Sequence, residues 1–175
     1  MRTLVVVAVV VLSSCASLFP TVVPEAQNTE FKATGEVQLY NRSVSFDDVR
    51  VRSPHVNLAK RTDGSWGGTF AQRALDVTVT DKKISGVDFV LTREMSEGNK
   101  LVITGQFQSR IYRFELDHEQ AMIRGPAQSM NFPGRQVGDK VTTYGPMGNF
   151  MLRGVAGSDD PPWPQIGFAL VGMMQ

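Results

Sequence analysis

From Phe31 onward the apolar residues of this chain recur at every second position, and that period most narrows what the chain can fold into. Phe31, Ala33, Gly35, Val37 and Leu39 alternate with Lys32, Thr34, Glu36 and Gln38. Val49 and Val51 alternate with Arg50 and Arg52, and Leu75, Val77 and Val79 with Asp76, Thr78 and Thr80. Leu101, Ile103, Gly105 and Phe107 keep the habit, as do Tyr112, Phe114 and Leu116 against Arg113 and Glu115. Successive side chains of a strand point to opposite faces, so a period of two gives one buried and one wet face. Breakers separate the runs: Asp63-Gly64, Glu97-Gly98-Asn99, Pro133-Gly134, Tyr144-Gly145-Pro146 and Asp159-Asp160-Pro161-Pro162. Phe150 and Leu152 precede a last apolar stretch, Ile166 to Met173. Residues 31–175 are expected to form a single all-β domain. It is an antiparallel meander of roughly nine to twelve short strands, closed or curved as a barrel, sandwich or open β-roll.

Residues 1–30 read differently. Arg2 is followed by an apolar run of nine, Leu4 to Leu12, and then by Ser13-Ser14-Cys15. The run suits a secretory signal and is short of the ~20 residues that span a bilayer. Leu12-Ser13-Ser14-Cys15 resembles the lipobox of bacterial lipoproteins, and Cys15 is the sole cysteine. The resemblance covers residues 1–15 only. It implies a signal peptide over 1–14, a diacylglycerol thioether on Cys15 and further acylation with chains such as palmitate. Two or three acyl chains hold a protein on a membrane firmly where one does so only marginally. Ala16 follows the cysteine where an aspartate would favour inner-membrane retention. The resemblance thus implies the bacterial cell envelope, at the outer membrane facing the periplasm. Cleavage after Ala16 by ordinary signal peptidase, or retention of the segment as an anchor, are the competing readings. Residues 15–30 form the tether, broken by Pro20 and Pro24. Fully extended, it reaches about 50 Å.

Charge narrows the partners. The chain has 18 basic and 17 acidic residues, and cleavage before Cys15 removes Arg2 and no acid. A neutral mature chain speaks against nucleic acid. Acylated, Cys15 leaves no thiol for a disulfide or a metal.

Catalytic signatures are sparse. Ser65 in Asp63-Gly64-Ser65-Trp66-Gly67 lacks the glycine two positions before it that a nucleophile elbow requires. Gly134 to Lys140 has neither the spacing nor the ending of a phosphate-cradling loop. Asp117-His118-Glu119 falls where a hairpin turn belongs, and His55 follows Pro54 in a loop. Asp47-Asp48 reads as strand, which sends its carboxylates to opposite faces. Trp66 and Trp163, flanked by turn formers, are candidates for ligand or partner contact, or else plugs of a barrel end. Gly64-Ser65-Trp66 resembles the Gly-x-Trp of lipocalins, although several strands precede it here. An apolar-apolar-polar-Gly pattern recurs at Gly105, Gly125 and Gly154 and suggests bends in a curved sheet.

The expectation is a lipid-anchored, non-catalytic binding or structural module without cofactor or metal. Its partners are the membrane and an envelope protein, peptidoglycan or an apolar ligand. Two other readings stand beside it. One is lipid or lipopolysaccharide handling by an open β-roll, whose strands around Gly35 and Gly105 loosely resemble lipopolysaccharide-transport proteins. The other is a secreted hydrolase assembled from Asp48, Asp117 and His118.

Overall fold

In a computed structural model, the chain is described over residues 30–95, 100–117, 119–137, 141–145, 149–154 and 160–175. Among the described residues there are fourteen strands. The first six are β1 (Gly35–Leu39), β2 (Arg42–Phe46), β3 (Arg50–Arg52), β4 (Val56–Lys60), β5 (Trp66–Phe70) and β6 (Arg73–Val79). Then come β7 (Lys83–Gly86), β8 (Phe89–Met95), β9 (Leu101–Phe107) and β10 (Arg110–Leu116). The last are β11 (Gln120–Arg124), β12 (Ser129–Gln136), β13 (Val141–Tyr144) and β14 (Phe150–Arg153). One helix follows, α1 (Trp163–Met173).

Each strand pairs antiparallel with its chain neighbours, and β1 pairs with β14, so the sheet is a closed barrel. Closure removes both edges, which an open roll or a sandwich would leave. The register climbs in one sense around the barrel: Arg52 stands opposite Ser45, Gly86 opposite Val77, Arg124 opposite Arg113 and Tyr144 opposite Gly134. That stagger is what strands tilted by about 35–45° require. It brings the seven turns that begin with Tyr40-Asn41 to one end. The loops, the segment ahead of β1 and the start of α1 lie at the other.

The expected alternation is the barrel wall. Val37, Val44, Leu58, Leu75, Val77, Ile84, Leu91, Ile103, Phe114 and Ile123 are buried inside. Asn57, Asp76, Thr78, Glu94 and Gln106 face out and are exposed. A barrel embedded in lipid carries an outward apolar band; this wall has the opposite polarity.

Several expectations need correcting. Ile166 to Met173 is helix, not strand, and the helix begins at Trp163 within the expected Pro-rich loop. Pro164 sits in its first turn, where a missing N–H costs nothing. Nearly every α1 residue is buried, among them Trp163, Ile166, Phe168, Leu170, Val171 and Met173. A helix covered on all sides carries no amphipathic stripe, so periodicity cannot reveal it.

The strand number exceeds the expected range because several turns lack glycine and proline. Ala71-Gln72 and Gln108-Ser109 both place two consecutive residues at positive φ, between 48° and 65°. That is the two-residue hairpin geometry for which Asn-Gly is the usual signal. Pro133-Gly134 is not a turn. It lies inside β12, where the strand leaves β11 after Pro133 and takes up β13 from Gly134. The recurring glycines are not equivalent: Gly105 lies within β9, Gly125 follows β11 and Gly154 follows β14, at opposite ends.

The helix answers a geometric need. Fourteen strands about 4.8 Å apart and tilted by about 40° enclose a cylinder of about 28 Å between backbones. Side chains fill an eight-stranded barrel, but not one of this width. A helix about 10–12 Å across takes up the remainder. Phe168 meets Trp66 of β5 at 5.5 Å and Phe89 of β8 at 5.6 Å between ring centroids. Glycines let the helix lie close to the wall: a Cβ on Gly172 would fall 2.5 Å from Val56 Cγ2.

Candidate functional site

At the loop end, α1 enters the barrel beside a cleft of about 450 Å³ and an adjoining one of about 270 Å³. Asp48, Asp81, Trp163 and Pro164 line both. Asp48 lies in the short connection between β2 and β3, and Asp81 in that between β6 and β7. Arg93, near the end of β8, shares the inward parity of Phe89 and Leu91 and donates to Asp160 Oδ1 at 2.8 Å. This ion pair spans the opening just before the helix begins. Gln165 Nε2 donates to the backbone oxygens of Asp47 and Asp48, each at 3.4 Å. The first turn of α1 is thereby tied to the loop that carries Asp48.

Asp47 and Asp48 do not lie in a strand, as the sequence suggested. The chain bends there, and Asp47 accepts from Val49 N at 2.9 Å and from Arg50 Nε at 3.0 Å. Arg50 is buried on the outer face of β3, where Phe31 lies against it, the guanidinium carbon 5.3 Å from the ring centroid. Arg50 also donates to Glu30 O at 3.1 Å. Glu30 and Phe31 are thus held along β3. Charged to this degree and buried, the Asp47–Arg50 pair depends on its hydrogen bonds; losing one partner would leave a desolvated charge.

Trp66 and Trp163 are 2% and 4% exposed. Trp66 points into the barrel, stacks obliquely on Phe168 and lines the smaller cleft. Trp163 closes the loop-end mouth and offers the cleft only part of its surface. Cys15, the acylation candidate, lies outside the described residues, as do His118 and Asp159. Asp117 accepts from the backbone N–H groups of Glu119 and Gln120, both at 2.7 Å, an ordinary turn use of a carboxylate. Asp117 and Asp48 belong to separate loops. His55, expected in a loop, is exposed in the β3–β4 turn.

Two carboxylates are held below the usual range. The hydroxyl and N–H of Ser65 donate to Asp63 at 2.6 and 2.9 Å and lower its pKa, in the turn that Gly64 makes at φ 85°. On the outer wall of β8–β10, hydrogen bonds from Lys100 and then Arg113 lower that of Glu115, while Glu115 raises that of Arg113. These are exposed or half-covered networks that position strands. Among the described residues no three His, Cys, Asp or Glu side chains converge on a point where a metal ion would sit.

Among the described residues the two clefts therefore offer the carboxylates of Asp48 and Asp81, the engaged Arg93, Lys60 and the edges of Trp66 and Trp163. That arrangement can bind a ligand. Neither Arg93 nor Arg42 stood out in the sequence. Arg42 donates to Met173 O at 2.7 Å and to Gln175 O at 3.1 Å, across 131 and 133 positions, and it caps the far end of α1. No local pattern encodes such a contact. Compared with known proteins, the chain matches no protein family, no curated protein and no solved structure.

Proposed function

We propose that this chain is a lipid-anchored protein of the bacterial cell envelope, held by Cys15 at the outer membrane and facing the periplasm. Its barrel acts as a non-catalytic binding or structural module, and its working surfaces are on the outside. The observation that carries the second half is the filled interior: α1 occupies the space in which a carrier would hold an apolar ligand. The sheet is closed as well, so edge-to-edge strand addition, on which an open roll for lipopolysaccharide would rely, has no free edge to use. The anchor reading rests on Leu4 to Cys15. Glu30 and Phe31, the first described residues after it, are fixed beside β3.

Intact mass of detergent-extracted protein, wild type beside Cys15→Ala, tests the anchor. The expected result is residues 15–175 plus acyl chains, absent in the variant. A soluble product beginning near Ser17 in both would overturn the anchor.

A further inference from the structure

The chain is nearly neutral in sequence, but folding separates its charges. Arg42, Arg73 and Arg110 each open a strand directly after a hairpin turn, and Arg52 and Arg124 each close one directly before a turn. The stagger of the barrel brings all five to the turn end, and all five are exposed. Among the described residues of these turns and the strand positions flanking them, Asp88 is the one carboxylate and there is no lysine. Lys60, Lys82, Lys83 and Lys100 border the loops of the opposite end, together with most of the acids.

Local structure uses only part of this positive charge. Arg42 caps α1, and Arg52 lies over the Phe31 ring at 4.9 Å. None of the ion pairs among the described residues includes Arg73, Arg110 or Arg124. The same end also presents apolar side chains. Val87, in the β7–β8 turn, is 88% exposed, and Ile111, next to Arg110, is 72% exposed. Tyr40 in the β1–β2 turn is 52% exposed. The turns of β7–β8 and β9–β10 are joined by a hydrogen bond from Gln108 N to Asp88 O at 2.9 Å, which brings Val87 and Ile111 onto neighbouring hairpins.

We propose that the turn end of the barrel docks on an anionic phospholipid bilayer surface. Arginine is suited to phosphate oxygens through its paired N–H donors. Apolar tips between the arginines reach the boundary of headgroups and acyl chains, where such side chains are stabilised. An end about 28 Å across, with its arginines spread around the rim rather than gathered in a pocket, matches a plane better than a single phosphate. The inference does not depend on acylation of Cys15.

The test uses the full chain carrying Cys15→Ala, so that no acyl chain retains it, in flotation with two kinds of vesicle. One is phosphatidylcholine alone, the other an equimolar mixture with phosphatidylglycerol. Residues 1–14, with Arg2 and the apolar run 4–12, are common to the parent and every variant, so the comparison between them is free of that segment. Binding is expected to the anionic vesicles, to weaken as salt rises, and to fall on the order of a hundredfold in R73Q/R110Q/R124Q. That figure follows from about 1 kcal/mol for each basic side chain at an anionic surface. The single variants, each expected about fivefold weaker by the same constant, keep the test decisive if the triple variant does not fold. K82Q/K83Q, at the loop end, is expected to bind like the parent. Equal binding to both vesicles, or an unchanged R73Q/R110Q/R124Q, would overturn the proposal. So would sedimentation showing that these arginines join two copies of the chain while vesicles are ignored.

Discussion

The wall and the plug of this barrel are both apolar toward the axis, yet they are written into the chain in different ways. Each strand of the wall has two faces with different neighbours, so its residues alternate and its outward positions are free to be Asp76, Thr78 or Glu94. The plug has one kind of neighbour on every side. Ile166, Phe168, Ala169, Leu170 and Val171 are all at most 1% exposed although they point in different directions around α1. The wall tolerates change on half its surface, and the plug on almost none. Plug and wall also fix one another: without the helix a fourteen-stranded cylinder is too wide for its own side chains to fill, and outside the cylinder this helix has no polar face to turn to water.

The contrast is sharpest at Phe168. Phe168→Ala removes the ring between Trp66 and Phe89 and is expected to cost about 3–5 kcal/mol in denaturant unfolding. Thr78→Ala on the wet face of β6 should stay within about 0.5 kcal/mol. Comparable losses at the two sites would remove the distinction between plug and wall. Next comes Gly172→Val, which places a Cβ against Val56 Cγ2 and is expected to cost about 1–3 kcal/mol. Near-UV circular dichroism of the buried aromatic rings should change with it. A smaller effect, about 1 kcal/mol, is expected for Arg42→Gln, which removes the cation that caps the last carbonyls of α1. Hydrogen exchange should then accelerate in the final turn of the helix and stay unchanged in the strands; uniform acceleration would mean that plug and wall open as one unit.

The smallest effect belongs to the outer wall and depends on pH. The pKa of Glu115 is lowered in the folded state, first by Lys100 and then by Arg113. Its contribution is therefore present above the ordinary carboxylate pKa and is lost as pH falls through the lowered value. The urea midpoint of the wild type should decline across that acid range more steeply than that of Glu115→Gln. Identical profiles would mean that the Lys100–Glu115–Arg113 network does not stabilise the wall.

Legibility followed the same division. The alternation through Val37, Leu75, Ile103 and Phe114 was readable because burial on one face leaves a period in the chain. The turn at Asp63-Gly64 was readable because Gly64 supplies a positive φ. Ala71-Gln72 and Gln108-Ser109 were not, since their positive φ values are imposed by the strands that flank them, against the preference of the residues themselves. Asp47 looked like part of a strand because Val49 and Val51 continue an apolar alternation; the buried bond to Arg50 is what bends the chain there. At the loop-end cleft, Trp163 was legible as an unusual residue, but not as the first residue of a buried helix. Its neighbour Arg93 gave no signal, because its partner, Asp160, is 67 positions away.

The sequence by itself determined that the chain would be built of short antiparallel strands with one apolar face, because side-chain alternation is a local property of extended backbone. Only the tertiary structure decided that these strands close, that the last apolar segment becomes the helix inside them, and that five arginines gather at one end. Closure depends on the register accumulated over all fourteen strands, the helix on the width of the space they leave, and the grouping of charge on which ends of distant hairpins come together. None of these quantities exists within a window of neighbouring residues.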